Sequence, residues 1–125
     1  MTKVFLDAKA LSDIAIEGLL EKKGQNIVRL DLRDTEGAVT DFFVICTGTS
    51  DRHVQALTES LIAVIREKTD ERPLSVEGKE AGEWVLADYF NIVVHIFLEE
   101  RRNFYRLEDL WGDGGREEIK ESFEK

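Results

Sequence analysis

Four groups of residues in this chain are of types that could do chemistry or bind. The first is Gly48-Thr49-Ser50-Asp51, which follows the apolar run Phe42 to Cys46. A strand that breaks into a helix start presents free amides to an anion, so a phosphate loop would sit there. Such a loop needs more glycines or a lysine, and neither Gly-x-x-x-x-Gly-Lys-Ser/Thr nor Gly-x-Gly-x-x-Gly occurs. A lone glycine ahead of a capping serine is an ordinary helix start. The second group is the carboxylates. Nucleotidyl transfer holds Mg²⁺ on carboxylates from neighbouring strands, because the ion demands several oxygens at octahedral positions. Here Asp31 and Asp41 fall in a first hairpin, the later strands offer only Asp88, and there is no Asp-x-Asp. The third group is His53 and His95. They lack metal-ligand spacing with each other, and no serine or cysteine nucleophile accompanies them in a recognisable arrangement. His95, between Val94 and Ile96, reads as a buried core histidine. No catalytic residue, metal ligand or cofactor site is predicted.

The fourth group suits binding. Trp84, Leu86 and Asp88 lie on one side of a strand, since successive side chains point to opposite faces. They read either as packing, with Trp84 and Leu86 in the core and Asp88 capping the strand end, or as a contact surface. An aromatic and aliphatic anchor beside a carboxylate is what grips a basic protein patch. Tyr89, next to the turn, would be a rim contact. Trp111, near the end of the last helix beside Glu108 and Asp109, would extend that surface or make a dimer contact.

Composition sets bounds on partners. The 125 residues fit one domain able to bury about two thirds of its unfolded surface. Twenty-six acidic against 17 basic residues give a net charge of −9, which excludes tight, sequence-independent gripping of nucleic-acid backbone and favours a basic partner. One cysteine, Cys46, excludes an internal disulfide and a Cys-rich metal site, as suits a reducing compartment. The N-terminus lacks the pattern of a secretory or organellar presequence, and no apolar run approaches the roughly 18 residues of a membrane span. A cytoplasmic protein is expected.

The elements that position these residues follow from periodicity. Apolar residues from Val4 to Leu20 recur at three- and four-residue steps, predicting a helix that Lys22, Lys23 and Gly24 close. Asn26 to Asp34 alternates as a strand near an edge and returns through Asp34-Thr35-Glu36-Gly37 into the unbroken run ending at Thr47, a central strand. Ser50 caps a second helix to about Lys68, striped by Val54, Leu57, Leu61, Val64 and Ile65. Leu74 to Gly78 fits a short strand or a loop. Glu83 to Tyr89 and Ile92 to Leu98 form a hairpin turning near Phe90-Asn91, where Asn91 suits the left-handed conformation and Phe90 does not. A third helix runs from Glu99 through Trp111, and the charged stretch beyond, Arg116 to Lys125, predicts a frayed helix or a disordered tail. Helix, hairpin, helix, hairpin, helix gives an α/β fold with a mixed sheet of four or five strands and packed helices. Residues 1–113 form the domain and residues 114–125 a charged C-terminal tail.

Five stretches, in order, resemble the ribosomal silencing factor (Iojap-like) family. They are Cys46 to Val54, Val76-Glu77-Gly78, Trp84 to Tyr89, Val93 to Phe97 and Tyr105 to Trp111. The likeness runs from about Leu11 to Asp113 and leaves out the tail. It implies a nucleotidyltransferase-like fold without transferase activity, frequent homodimers, and binding to the large ribosomal subunit through its fourteenth protein. That binding would block subunit joining and repress translation when nutrients are scarce. It also favours the contact reading of Trp84, Leu86 and Asp88. Phe90-Asn91 departs from the glycine-containing turn usual in the family. The alternative is a nucleotide- and metal-dependent transferase or hydrolase on the same scaffold, against which the missing acidic set argues.

Overall fold

A computed structural model describes residues 7–105 and 115–119. In it the two unbroken apolar runs, β2 (Phe42–Gly48) and β5 (Ile92–Leu98), lie side by side and parallel, in register from Phe42 opposite Ile92 to Gly48 opposite Leu98. Parallel strands cannot be joined by a tight turn, so a long crossover must intervene. It comprises α2 (Asp51–Thr69), a short strand β3 (Ser75–Glu77) and β4 (Trp84–Asp88), which pairs antiparallel with β5. On the other flank β1 (Gln25–Asp31), which follows α1 (Ala8–Glu21), pairs antiparallel with β2. After α3 (Glu99–Tyr105) comes β6 (Gly115–Glu118), antiparallel to β1. The sheet therefore runs β3-β4-β5-β2-β1-β6.

Strand alternation splits the core into two layers. Phe42, Val44, Cys46, Ile92, Val94 and Ile96 point towards α1 and α2 and pack on Leu11, Ala15, Leu19, Val54, Leu57, Leu61 and Ile65. Phe43, Ile45, Val93 and Phe97 point the other way, joined by Val28, Leu30 and Leu32 of β1 and the residue beyond it. Burying each such large side chain contributes about 1.5–3 kcal/mol, which is why the central strands carry no polar alternation.

Helix ends follow the chemistry of their flanking residues. Asp7 accepts the Ala10 amide at 2.8 Å and starts α1, and Ser50 accepts the His53 amide at 3.0 Å and starts α2. The left-handed residue after α1 is Lys23 (φ 61°), whereas the glycine beside it is needed for close approach. A Cβ on Gly24 would lie 2.6 Å from the Cys46 sulfur. At the far end of α2 the left-handed residue is Asp70 (φ 66°), whose amide bonds the Arg66 carbonyl at 2.8 Å.

Three expectations change. The sheet has six strands, not four or five, because Ser75–Glu77 is a strand and because Gly115–Glu118 adds another. The charge pattern of the latter segment predicts a frayed helix or disordered tail; it hides a ladder that depends on a partner strand far away in sequence. The left-handed residue of the second hairpin is Phe90 (φ 74°), not Asn91. The third helix is described only as far as Tyr105, so its expected continuation to Trp111 lies outside the described residues.

What fastens β6 is Arg29. Its side chain is 7% exposed and its guanidinium bonds Asp13 and Ser12 of α1 and, through Nη2 at 2.6 Å, Glu117 of β6. One buried cation thus ties a helix, an inner strand and an edge strand. Removing one carboxylate leaves the other, while removing both leaves a buried charge without a counter-ion, which costs about 3–5 kcal/mol. Asp13→Asn and Glu117→Gln are each expected to cost about 1 kcal/mol and the double variant distinctly more than their sum. Strict additivity in urea unfolding would count against this shared clamp.

Candidate partner-binding surface

β4 sorts its side chains by parity. Val85 and Ala87 are fully buried on the helix side, while Trp84, Leu86 and Asp88 are half-buried on the other. Register then decides what each touches. Trp84 is opposite Phe97 and Leu86 opposite His95. The Trp84 ring stacks on Phe97 at 5.2 Å between centroids, and its indole Nε1–H donates to His95 Nδ1 at 3.1 Å. His95 in turn meets the Phe43 ring edge-on at 4.7 Å. Because His95 Nδ1 accepts, the ring proton of the neutral imidazole sits on Nε2, which is buried and has no hydrogen-bond partner among the described residues. The backbone of Trp84 is fixed as well. Gly78 has φ +86°, and a Cβ there would fall 2.1 Å from the Trp84 carbonyl oxygen, so only glycine lets β3 run into β4 at this spacing.

The packing reading of the strand holds in part. Trp84 and Leu86 pack against the second core layer yet keep an exposed side. Asp88 serves the turn, its Oδ1 accepting the Phe90 amide at 2.8 Å. Asn91 N–H bonds the Tyr89 carbonyl at 2.9 Å around a residue with φ 74°, a three-residue turn of the rare, strained kind. A bulky residue held there costs about 1–3 kcal/mol. The Thr40 hydroxyl bonds the Phe90 carbonyl at 2.9 Å and the Asp41 amide bonds the Asn91 carbonyl at 3.1 Å, holding the turn against the first hairpin.

Tyr89 does not join the surface. It is 5% exposed, packed in the helix-side core, because its odd position turns it away from Trp84 and Asp88. Burial pushes its phenol well above the ordinary range. The rim contact expected of it is closed to a ring in that place. Trp111 lies outside the described residues.

The residues that a catalytic site would draw on are kept apart. Gly48 to Asp51 sits at the end of β2, whereas Asp41 precedes its start and Asp88 ends the antiparallel β4, so roughly 20 Å of strand separates loop from carboxylates. Several of the amides there already have acceptors. Thr49 N–H donates to His53 Nδ1 at 2.9 Å, Arg52 N–H to Asp51 at 2.7 Å and Val54 N–H to the Ser50 carbonyl at 2.9 Å. Asp31 is held by Arg33, whose side chain bonds it at 2.7 and 2.9 Å and keeps its carboxyl below the usual range. Among the described residues no three His, Cys, Asp or Glu gather as metal ligands.

Sequence reasoning missed the partnership of His95 with Trp84. The signal was available only through register, since a histidine two places from the cross-strand partner of a tryptophan becomes its diagonal neighbour. Burial lowers the His95 pKa from 6.5 to about 4. Below about pH 6.5 the unfolded chain therefore binds a proton that the folded chain refuses until about pH 4. The contribution is complete above that window and is lost as pH falls through it, at up to about 1.4 kcal/mol per pH unit. Urea unfolding between roughly pH 7 and pH 5 is expected to show this slope in the parent and not in His95→Asn, which keeps an acceptor near Nδ1 but cannot charge. Equal slopes would refute it.

With the geometry in place, likeness to known proteins carries weight. The pattern described as "Ribosomal silencing factor during starvation" matches residues 6–125, including the tail that the resemblance read from motifs left out. The chain is 36% identical over 111 residues to ribosomal silencing factor RsfS of Bacillus subtilis, covering 86% of this chain and 90% of that one. It is 33% identical over 108 residues to the mouse protein named mitochondrial assembly of ribosomal large subunit protein 1, covering 85% of this chain and 47% of the other. Among solved structures, a crystal structure of a Chromobacterium violaceum protein superposes with a TM-score of 0.81 at 32% identity, covering 94% of this chain and 97% of its own. The chain belongs to the ribosomal silencing factor family.

Proposed function

We propose that this protein docks on the large ribosomal subunit through that subunit's fourteenth protein and, by occupying the face the small subunit needs, blocks subunit joining and represses translation under nutrient limitation. The observation that carries the reading is the outward face of β4, Trp84, Leu86 and Asp88, on an acidic chain of this family. A tryptophan clamped by His95 and Phe97 loses little freedom on binding, so little of the contact energy is offset by ordering it. The negative charge steers the protein towards basic ribosomal proteins and away from exposed RNA phosphates. The name of the mouse relative, which refers to the large subunit, agrees with the choice of subunit.

The mechanism is competition, so the effect scales with free protein relative to its dissociation constant. The protein works without a catalytic step, metal or cofactor, in the cytoplasm, on a scaffold read as nucleotidyltransferase-like, and it forms homodimers. The domain takes in β6, which pairs with β1, rather than ending at residue 113. Trp111, outside the described residues, serves as a further contact with the partner or with a second copy.

Trp84→Ala combined with Asp88→Asn removes the anchor and the charge, while the side-chain carbonyl introduced at position 88 can still accept the Phe90 amide. The double variant is expected to fold and to bind purified large subunits at least about tenfold more weakly in co-sedimentation, with less inhibition of subunit joining. Undiminished co-sedimentation of the folded variant would remove this face from the mechanism. Because the Gly48 loop and the carboxylates Asp41 and Asp88 lie at opposite ends of the sheet, Mg²⁺ with a nucleoside triphosphate is expected to leave the melting temperature unchanged. A clear upward shift accompanied by turnover would replace the binding reading with an enzymatic one.

A further inference from the structure

All of the large hydrophobic side chains that stand strongly exposed among the described residues, Val39 (81%), Leu74 (69%) and Phe90 (69%), lie at one end of the sheet. It is the end where β2 and β5 begin, formed by the β1–β2 connection, the α2–β3 connection and the β4–β5 turn. Leu74 is tied there by its amide, which donates to the Asp88 carbonyl at 2.7 Å. Val39 and Phe90 line a shallow cavity of about 190 Å³ together with Leu32, Ala38, Arg33 and Asp41.

Phe90 is the part of this end that packing does not explain. Its ring is exposed, so it adds nothing to the core, yet the backbone holds it at φ 74° where bulky residues are strained. Bonds from the Asp88 side chain to its amide and from the Thr40 hydroxyl to its carbonyl keep it there. Strain maintained at the surface without any gain in burial marks a position kept for contact. The same connections carry Asp34, Glu36, Asp41, Asp70 and Glu71 against Arg33 and Arg72, and Arg33 is already paired with Asp31. An acidic surround repels nucleic-acid phosphates and also a second copy of this chain, which would bring the same carboxylates.

We infer that this end of the sheet is an apolar docking tip for a basic protein segment, with Phe90 as its preset anchor beside Val39 and Leu74. The segment would lay an aliphatic or aromatic side chain into the cavity between Val39 and Phe90 and its lysines or arginines against the carboxylates around it. The inference deepens the reading above and rests on it for the identity of the partner as a large-subunit protein. It adds a contact that continues from Asp88 around the turn.

The test exploits the strain. Phe90→Gly removes the ring and relieves the positive φ, so the melting temperature should hold or rise while binding to purified large ribosomal subunits weakens at least about tenfold. A residue serving only structure would not lose binding as its fold gained stability. Val39→Ser with Leu74→Ser, changes at exposed positions, should weaken binding in the same direction and carries the test if the glycine variant folds poorly. Wild-type affinity in both variants overturns the tip. If they bind normally while Trp84→Ala with Asp88→Asn does not, the tip fails and the β4 face stands; the converse keeps the tip and removes the face. A parent protein that does not bind large subunits overturns both. Equal loss of binding to naked large-subunit RNA would assign the tip to nucleic acid, and conversion of a parent dimer to monomer by Phe90→Gly would assign it to a second copy, each of which overturns the proposal.

Discussion

The parallel pairing of β2 with β5 is the constraint from which the rest of this molecule follows. Both strands are apolar apart from the buried Thr47 and His95 and must be covered on both faces, which places them in the middle of the sheet. Their shared direction forces the intervening chain to travel the length of the domain and back, and α2, β3 and β4 are that journey. It delivers the Gly48 loop to one end of the sheet, and Asp41, Asp88 and the β4–β5 turn to the other. A site that needed the loop amides and the carboxylates together cannot form on this topology. The ends have been given different tasks, closure of helices at one and display of side chains at the other.

Register carries the next level of consequence. The antiparallel alignment of β4 on β5 sets Trp84 across from Phe97 and one diagonal step from His95. A shift of one residue would send Val85 and Ala87 outward and bury Trp84 among the helices, so the outward face and the core are specified by the same pairing. Gly78 guards that alignment, since any side chain there collides with the Trp84 carbonyl. The neutral state of His95 belongs to the same arrangement. An imidazole ringed by Phe43, Phe97 and Trp84 is desolvated, and only its neutral form offers Nδ1 to the indole.

Much of this was legible in the sequence, for a physical reason in each case. Central strands declare themselves by nearly uninterrupted apolar runs, and caps by serine or aspartate at the right offset, because both are local requirements; β2, β5 and Ser50 obey, whereas α1 starts after its cap Asp7, inside the helix expected from Val4. Alternation along β4 placed Trp84, Leu86 and Asp88 on one side for the same reason, and it also implied that Tyr89 must point inward, an implication masked by its position beside a turn. What stayed hidden was non-local. Gly115–Glu118 has no apolar residue, and it becomes a strand only because β1 offers a ladder and Arg29 offers a cation to Glu117. Phe90 was illegible in a different way. Propensity assigns the left-handed position to Asn91, and the turn overrides it because bonds from Asp88, Thr40 and Asp41 fix the peptide groups on either side of the phenylalanine.

That override connects stability to recognition. Folded domains are stable by only about 5–15 kcal/mol, and a strained phenylalanine at a surface turn offsets an appreciable part of that. Asp88 links the two, since one carboxylate both holds the strained amide and leaves charge at the end of β4. Trp84 has the same double use from the other direction: its stacking and its hydrogen bond to His95 stabilise the fold, and they also leave the indole with a fixed edge towards solvent. Binding energy in protein interfaces concentrates in such pre-ordered aromatic side chains because little entropy remains to be lost when the partner arrives. In the proposed docking mode the surface is made of groups already immobilised by folding, so the residues that look structural along β4 and the residues that suit a partner are the same ones.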